Sequence, residues 1–191
     1  MAQMLEIRWH GRGGQGSKTA SILLGKVCSE AGKYIQAFPE YGPERMGAPV
    51  IAYNRISDER ITVHCQIETP DLVVVLDSTL IGAIDVVEGL KEDGKIIINT
   101  DLEPEKMKEK IGFNGELYTI DANKISEEEL GRAFPNTPLL GAVVKVTSLF
   151  TEDEFVKLIR KEFEKKFAHK PEVIDGNINC IRRAFQEVKS E

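Results

Sequence analysis

The amino-acid sequence predicts an α/β fold: a single doubly wound, mostly parallel sheet with an added antiparallel hairpin and a helical C-terminal third. Three observations carry this prediction. Strand-length apolar runs alternate with amphipathic runs of helix length along the first two thirds of the chain. Residues 71–77 form a continuous apolar run between two acids, which is typical of a central parallel strand buried on both faces. The segments after residue 121 all have helical periodicity.

Each element follows from its local pattern. The predicted strands are residues 4–9, 34–38, 50–56, 61–66, 71–77, 95–99 and 117–121. The predicted helices are residues 17–31, 79–90, 104–111, 138–144 and 154–167. Strands 50–56 and 61–66 are separated by four polar residues and are expected to form the hairpin. Ser17 is the expected N-cap of the first helix, and Ser126 and Thr151 each open the pattern of a capping box.

Length and composition argue against several classes of protein, including nucleic-acid-binding and membrane-spanning proteins. The chain has 191 residues, which fits one domain over residues 1–191. Its net charge of -6 and its lack of a basic face interleaved with aromatics argue against nucleic-acid binding. No apolar run approaches the roughly 18–20 residues that span a bilayer. The first residues lead directly into the first strand, so we expect no signal peptide and a cytoplasmic protein.

Cysteine and histidine are too few and too scattered for the usual metal sites. The chain has three of each and no C-x-x-C pair. Iron–sulfur clusters and zinc sites need closely spaced ligands, so we expect this chain to hold no metal of its own. Cys28, Cys65 and Cys180 are expected to be reduced thiols, buried or half-buried.

A glycine-rich loop between the first strand and the first helix is the main candidate site. Four glycines in six residues let the backbone turn sharply and approach a ligand closely. The following helix presents unpaired N–H groups and a partial positive charge at its start. This is the Rossmann-like arrangement of a phosphate-binding loop, and it equally suits a tight contact with a partner protein. The candidate binding residues are Gly11, Arg12, Gly13, Gly14, Gln15 and Gly16.

Three interpretations of the loop compete. The G-x-G-x-x-G spacing fits a dinucleotide site, but the second strand does not end in the acid that would bind a ribose hydroxyl. A P-loop is excluded, because Ser17 is inserted before Lys18 and turns Lys18 and Thr19 by about 100° around the helix. The third interpretation is structural: tight strand-to-helix packing and docking of a partner.

Further polar residues fall at positions that favour function. Residues 39–49 form a loop rich in proline and glycine, for which we favour a subunit-docking role. Asp77, Asn99 and Asp121 follow predicted parallel strands, at the edge where open α/β sheets bind ligands. Each of the three also suits capping of a following helix, and for Asp121 we favour that role. His10 borders the glycine loop and is interpreted as a structural residue.

Several blocks together carry a resemblance to a known family. Residues 8–16 resemble the opening of the gamma subunit of 2-oxoacid:ferredoxin oxidoreductases, and of pyruvate:ferredoxin oxidoreductase in particular. Residues 41–50 are similar to the second signature of that family, with Met46 where a second Arg or a Gly is often found. The other similar blocks, in the same order, are residues 70–77, 98–100, 140–145 and 179–184. The likeness extends from residue 5 to about residue 188.

The resemblance implies a role inside a larger enzyme. The family oxidises a 2-oxoacid with coenzyme A to acyl-CoA and CO₂ and reduces ferredoxin, or runs the reverse synthesis. Thiamine diphosphate, Mg²⁺ and 4Fe–4S clusters are implied on partner subunits, named alpha, beta and delta, with coenzyme A as co-substrate. This chain is expected to bind no cofactor alone and to supply no catalytic residue. Its glycine loop would contact the coenzyme A pyrophosphate or a neighbouring subunit, with Arg12 gripping phosphate or forming an interface ion pair.

Two other functions stay open at this point. One is a free-standing oxidoreductase that binds NAD or flavin through the glycine loop. The other is a scaffold that binds no small molecule. Within the family, gamma subunits for 2-oxoisovalerate or 2-oxoglutarate are alternatives to one for pyruvate.

Overall fold

The computed structural model describes residues 4–40 and 47–191, and they form a six-stranded mixed sheet with helices on both faces. The predicted α/β class is confirmed. The strands are β1 (Leu5–Arg12), β2 (Tyr34–Pro39), β3 (Pro49–Ser57), β4 (Leu72–Val75), β5 (Lys95–Asn99) and β6 (Glu116–Ile120). The helices are α1 (Ser17–Glu30), α2 (Pro104–Ile111), α3 (Ala122–Leu130), α4 (Asn136–Thr147), α5 (Glu152–Lys166) and α6 (Pro171–Glu187).

The strand order is β2-β3-β1-β4-β5-β6. Strands β1, β4, β5 and β6 are parallel, whereas β3 runs antiparallel to both β1 and β2. The chain leaves β1 toward one edge of the sheet and leaves β4 toward the other. The carboxyl ends of β1 and β4 therefore meet at the topological switch point, where open α/β sheets bind ligands.

Two hydrophobic clusters cover the two faces of the sheet unequally. The larger contains Trp9, Leu72 and Val74 and packs against α1 and α3 through α6. The smaller contains Val73 and Val75 and packs against α2 and the segment after β4. All four residues of β4 are buried, which confirms the prediction of a strand enclosed on both faces.

The predicted hairpin between residues 50–56 and 61–66 is wrong. Strand β3 already pairs with β1 on one side and β2 on the other, so no edge is left for a further strand. Residues 61–66 instead cross the sheet as a loop, and buried side chains satisfy its carbonyl groups. The Arg55 guanidinium donates to the carbonyls of Cys65, at 2.7 Å, and Gln66, at 3.1 Å. The added antiparallel hairpin is therefore β2–β3.

The predicted helix over residues 79–90 is also wrong. Only a 3₁₀ turn, Ser78–Leu80, forms there. Gly82 and Gly89 have φ angles of +91° and +70°, which a right-handed helix cannot include. Leu80 and Val86 still bury their side chains in the smaller cluster, so the apolar spacing reflects packing of an irregular segment.

The N-cap residue agrees with the sequence prediction at α5 and differs from it at α1 and α3. Thr151 caps α5 through the complete reciprocal capping box with Glu154, as predicted. Helix α1 is capped by Gly16 in the left-handed conformation, and Ser17 is its first residue. Helix α3 begins at Ala122 with Asp121 as its cap, so Ser126 lies inside the helix and donates to the Ala122 carbonyl.

Within the described part of the chain, no helix has both the length and the apolar character needed to cross a bilayer.

Candidate functional site

The glycine loop lies at the switch point, between the end of β1 and the start of α1. Strand β1 extends to Arg12, three residues further than predicted, because its pairing with β3 continues as far as Arg12 opposite Pro49. The turn that follows contains Gly14 at φ +97° and Gly16 at φ +87°. Left-handed backbone of this kind strongly favours glycine, which explains why two of the four glycines are required.

The two left-handed glycines differ in their surroundings. A Cβ atom at Gly16 would lie 3.1 Å from the side chain of Asn136, at the start of α4. A Cβ atom at Gly14 would meet no atom within 4 Å. Gly16 therefore permits close packing of the α1 and α4 starts, whereas Gly14 leaves open space above the loop.

The glycine loop is hydrogen-bonded to residues 47 and 48, at the end of the loop over residues 39–49 for which the sequence favours a docking role. The Gly13 N–H donates to the Ala48 carbonyl at 2.8 Å, and the Gly47 N–H donates to the Gly13 carbonyl at 3.2 Å. Residues 41–46, which hold most of the proposed docking loop, lie outside the described residues. The two motifs that the sequence singled out are thus brought together in space.

Arg12 makes internal contacts at this site. Its Nε lies 3.2 Å from the Asp77 carboxylate, its Nη1 donates to the Gly47 carbonyl at 3.2 Å, and its Nη2 donates to the Thr79 hydroxyl at 3.0 Å. Gln15 closes the cluster, because its amide donates to Asp77 at 2.7 Å and its oxygen accepts from the Arg12 N–H at 2.7 Å. The structure thus pairs Arg12 with a carboxylate of its own chain.

Asp77 is the anion of this cluster. Desolvation alone would raise the pKa of its carboxyl group. Hydrogen bonds from Thr79 and Gln15 and the charge of Arg12 outweigh desolvation and lower the pKa below its ordinary value. The carboxylate therefore stays ionised and offsets the charge of Arg12, so a phosphate at this point would not meet an unpaired guanidinium.

The N-termini of two helices lie beside this cluster. Gly16, the N-cap residue of α1, makes no side-chain cap hydrogen bond. Helix α4, whose start packs against Gly16, has no side-chain cap either. The starts of α1 and α4 and the open space at Gly14 therefore lie together at the switch point, and a helix N-terminus carries a partial positive charge.

The other carboxyl-end residues are structural. Asp77 also caps the 3₁₀ turn through the Thr79 N–H, and Asp121 caps α3 through the Lys124 N–H, as we favoured for Asp121. Asn99 is buried and joins two elements: its amide donates to the Leu76 carbonyl at 2.8 Å and its oxygen accepts from the Ala122 N–H at 2.9 Å. All three lie where the sequence predicted, at the carboxyl ends of their strands.

The structure disfavours a dinucleotide site. In such a site the second strand lies beside the first and ends in an acid that binds ribose. Here β3 lies between β1 and β2, so the end of β2 is remote from the glycine loop. Glu40, the acid that directly follows β2, accepts a hydrogen bond from the Tyr53 hydroxyl at 2.9 Å.

A second cleft, which sequence reasoning missed, lies on the sheet face away from the larger cluster. It has a volume of about 900 Å³, and Arg8, His10 and Tyr53 line it. His10 is buried and its Nε2 accepts from Arg8 at 3.0 Å. Burial, reinforced by the Arg8 charge, lowers the His10 pKa to about 4, so the imidazole is neutral near pH 7. The only sequence signal is the alternation of polar residues along β1.

The thiols do not form a common site. Cys28 and Cys180 are buried, and burial raises the pKa of each to about 12. Cys65 is exposed, contrary to the expectation of a buried or half-buried thiol. Among the described residues there is no group of three or more His, Cys, Asp or Glu side chains placed to hold a metal ion.

Fold and site together define an open α/β protein of the Rossmann-like class with a glycine loop at the switch point. Comparison with known sequences then identifies the family. The chain belongs to the pyruvate ferredoxin/flavodoxin oxidoreductase family, whose sequence model matches residues 6–187.

Individual relatives are similar over nearly their whole length. A Thermotoga maritima protein named pyruvate synthase subunit PorC is 52% identical over 96% of this chain and 94% of its own length. A Pyrococcus abyssi protein named pyruvate/ketoisovalerate oxidoreductases common subunit gamma is 42% identical over 97% of this chain and 98% of its own. The crystal structure of pyruvate oxidoreductase subunit PORC from Thermotoga maritima superposes with a TM-score of 0.87, at 48% identity and 99% coverage of both chains.

Proposed function

We propose that this chain is the gamma subunit of a multi-subunit pyruvate:ferredoxin oxidoreductase and forms one domain within it. The enzyme converts pyruvate, coenzyme A and two oxidised ferredoxins to acetyl-CoA, CO₂, a proton and two reduced ferredoxins, reversibly. The observation that carries this proposal is the 52% identity to a pyruvate synthase subunit over 96% of the chain. The family resemblance in both glycine-containing motifs supports the same role.

The chain contributes binding and assembly surface, while its partners carry the redox groups. A 4Fe–4S cluster takes four cysteine thiolates, and this sequence has three cysteines. Two of these are buried far from solvent and keep their protons. The clusters therefore belong to the partner subunits. The family resemblance assigns thiamine diphosphate and Mg²⁺ to the alpha, beta and delta subunits as well, and ferredoxin meets the complex through these subunits.

The glycine loop supplies a contact to coenzyme A. The partial positive charge at the start of α1 favours a phosphate group there, and Gly14 leaves space for it. Arg12 holds the loop against Asp77 and the Gly47 carbonyl, so it positions the loop.

Purification from the source cell tests the subunit role. We expect partner chains to co-elute with this chain, and the eluted complex to reduce ferredoxin with pyruvate only when coenzyme A is present. Mass spectrometry identifies the partners. Isolated chain that binds NAD(H) at micromolar affinity, with no partner recovered, would contradict the proposal and favour the free-standing oxidoreductase.

Substitution of Gly14 by Asn tests the coenzyme A contact. Asn tolerates left-handed backbone better than most residues, so the new side chain enters the open space above the loop with limited strain. We expect the apparent KM for coenzyme A of the assembled complex to rise roughly tenfold, about the loss of one phosphate contact. The matched control is Gly32→Asn, at φ +84° with equally open surroundings and at the far end of α1. An unchanged KM in the Gly14 variant would remove the loop from the proposal.

A shared gamma subunit is a second candidate. The Pyrococcus abyssi relative is named as common to pyruvate and ketoisovalerate oxidoreductases. If this chain serves both, its complexes with two different sets of partners will differ in 2-oxoacid preference. The same purification decides this, because the two sets of co-eluting chains would separate by ion exchange.

A further inference from the structure

The cleft that contains Arg8, His10 and Tyr53 has apolar walls and a charged rim. Its walls carry aliphatic groups from β3 and from the two segments that flank β4: Pro49, Val50, Ile51, Ile67 and Ile84. Its rim carries four carboxylates, which we call the rim acids: Glu40, Glu68, Asp85 and Glu88. An apolar interior with a charged rim is not a feature of a packed core, and it indicates a surface that binds something.

The charge of the cleft is strongly negative. His10 is neutral, so Arg8 is the one cation among the lining residues that the structure describes. Arg8 is buried beneath the cleft and is held by the carbonyls of Val86 and Glu88 and by His10 Nε2. One buried cation against four rim acids leaves the opening acidic, which disfavours a phosphate or carboxylate ligand.

Two of the rim acids have no partner in the described part of the chain. Glu40 accepts from Tyr53, and Asp85 accepts from the Val87 N–H. The side chains of Glu68 and Glu88 make no hydrogen bond or ion pair with any residue in the described ranges, and both are exposed. Glu88 is near enough to Arg8 for their charges to attract, without direct contact between the two charged groups. They are the groups available to an incoming ligand.

The backbone segments that carry these two residues lie against each other at the cleft. Gly89 packs directly on residue 68, since a Cβ atom at Gly89 would lie 2.1 Å from the Glu68 carbonyl oxygen. Glu68 and Glu88 therefore project from neighbouring backbone segments. Like charges held near each other are unfavourable unless a cation lies between them.

We propose that this cleft receives an arginine or lysine side chain from a partner subunit of the same complex. The aliphatic stem would pack on the walls of the cleft, and the cationic head would lie between Glu68 and Glu88. Long basic side chains combine these two properties, and arginine is enriched among the residues that dominate interfaces. This inference rests on the proposed function, because it needs a partner subunit.

Charge reversal in the assembled complex tests the inference. Full-length chain carrying Glu68→Lys and Glu88→Lys is co-expressed with the other subunits and captured by an affinity tag on this chain. We expect roughly tenfold or greater loss of captured partner at physiological salt, since like charges across an interface repel. The neutral pair, Glu68→Gln and Glu88→Gln, should lose less, and wild-type capture should weaken as salt rises.

A matched control separates position from net charge. Glu109→Lys with Glu164→Lys makes the same change in net charge on exposed faces of α2 and α5, away from the cleft. We expect wild-type capture for this control. Thermal melts of all variants report folding, and the Gln pair keeps the test valid if the Lys pair is unstable.

The outcomes distinguish the inference from the proposed function. Wild-type capture by both the Lys pair and the Gln pair would overturn the inference and leave the subunit role intact. Retained capture with loss of self-association, seen by sedimentation, would assign the cleft to a second copy of this chain and also overturn it. Failure of the wild-type chain to capture any partner would overturn both.

Discussion

The polar side chains on the second face of β1 and β3 are buried, although the sequence pattern predicts a half-solvated strand. Arg8, His10 and Arg55 are each less than 9% exposed. A charged group tolerates such burial when hydrogen bonds replace water. Arg8 donates to two carbonyls, and Arg55 pairs with Glu6 at 2.7 Å while donating to two further carbonyls. Period-two alternation marks which residues share a face but does not reveal that an irregular segment will cover that face.

Asp77 should make the stability of the chain depend on pH in the acid range. The folded-state pKa of its carboxyl group is lowered, so its stabilising contribution is complete above the ordinary Asp pKa and is lost as pH falls through the folded value. We expect Asp77→Asn to destabilise the chain by about 1 kcal/mol at pH 7, because the group is partly open to solvent. The difference from wild type should shrink below about pH 4.

Urea unfolding at pH 7 and at several lower pH values measures this difference. Asp101→Asn is the control, because Asp101 is exposed and makes no side-chain hydrogen bond among the described residues. If the free energy of unfolding differs between wild type and Asp77→Asn by the same amount at every pH, the loss does not come from the charge of the carboxylate.

The starts of the helices show which local sequence patterns are enough to predict an N-cap. The Thr151 capping box is predicted and present, because its two hydrogen bonds lie within four consecutive residues. The similar pattern at Ser126 fails, because Asp121 caps the same helix one turn earlier. Ser17 fails as a cap because the preceding glycine takes the left-handed conformation that starts the helix.

Gly16 and Gly14 offer a matched pair for testing the glycine loop as an element. Alanine at either position must adopt positive φ, at a cost of about 1–2 kcal/mol. Only at Gly16 would the added methyl group also press on Asn136, at 3.1 Å, which adds roughly 1 kcal/mol or more. We therefore expect Gly16→Ala to lower the free energy of unfolding more than Gly14→Ala does, in denaturant unfolding of the full chain.

The double variant Gly16→Ala with Asn136→Ala checks the cause. If the contact with Asn136 is responsible, truncating that side chain should recover part of the loss. Equal destabilisation by the two glycine substitutions would mean that backbone strain accounts for the whole effect.

The positions of the candidate site residues could be predicted from the sequence more accurately than the secondary structure around them. The glycine loop, Asp77, Asn99 and Asp121 are found at the predicted edge because parallel strands place their carboxyl ends together. The partnership of Arg12 with Asp77 joins residues 65 positions apart, and no local pattern encodes it. The predicted hairpin is wrong because both edges of β3 are already paired with β1 and β2. The predicted helix over residues 79–90 is wrong because its apolar residues pack from an irregular segment.

At the scale of the whole molecule, the helical layer depends on close contact between α4 and α6. A Cβ atom at Gly141 would lie 2.9 Å from the Ala184 Cβ and 3.0 Å from the Ile181 carbonyl oxygen. Backbone cannot yield as a flexible side chain can, so we expect Gly141→Ala to destabilise the chain by about 1–3 kcal/mol despite its gain in helix propensity. Thermal or denaturant unfolding measures this loss.

Gly25→Ala is the matched control in α1. Its added Cβ would lie 3.2 Å from the Ala37 Cβ and 3.3 Å from the Ile35 Cδ1, both farther than the two nearest atoms at Gly141, and its three nearest neighbours are all side-chain atoms. Since both substitutions gain about the same propensity, Gly25→Ala should cost less. The reverse order would show that the α4–α6 contact is looser than the structure indicates.

The two faces of the sheet have different roles in the molecule. Five helices cover one face and fix it as the core, while one helix and irregular segments cover the other. Irregular cover leaves the cleft between Arg8 and the rim acids, so the thinly covered face is where we infer a partner docks. The switch point lies at one end of both faces, which allows one edge of the sheet to contact a ligand and a neighbouring chain together.

The outer edge of β6 is closed by the segment that follows α6. Thr119 and Lys189 exchange two backbone hydrogen bonds, of 3.1 and 2.9 Å, and ion pairs link Lys189 to Glu103 and Glu191 to Lys108. An open strand edge invites another polypeptide to add to it. By occupying the middle of that edge, residues 189–191 leave less of its backbone open to pairing with another copy of the chain.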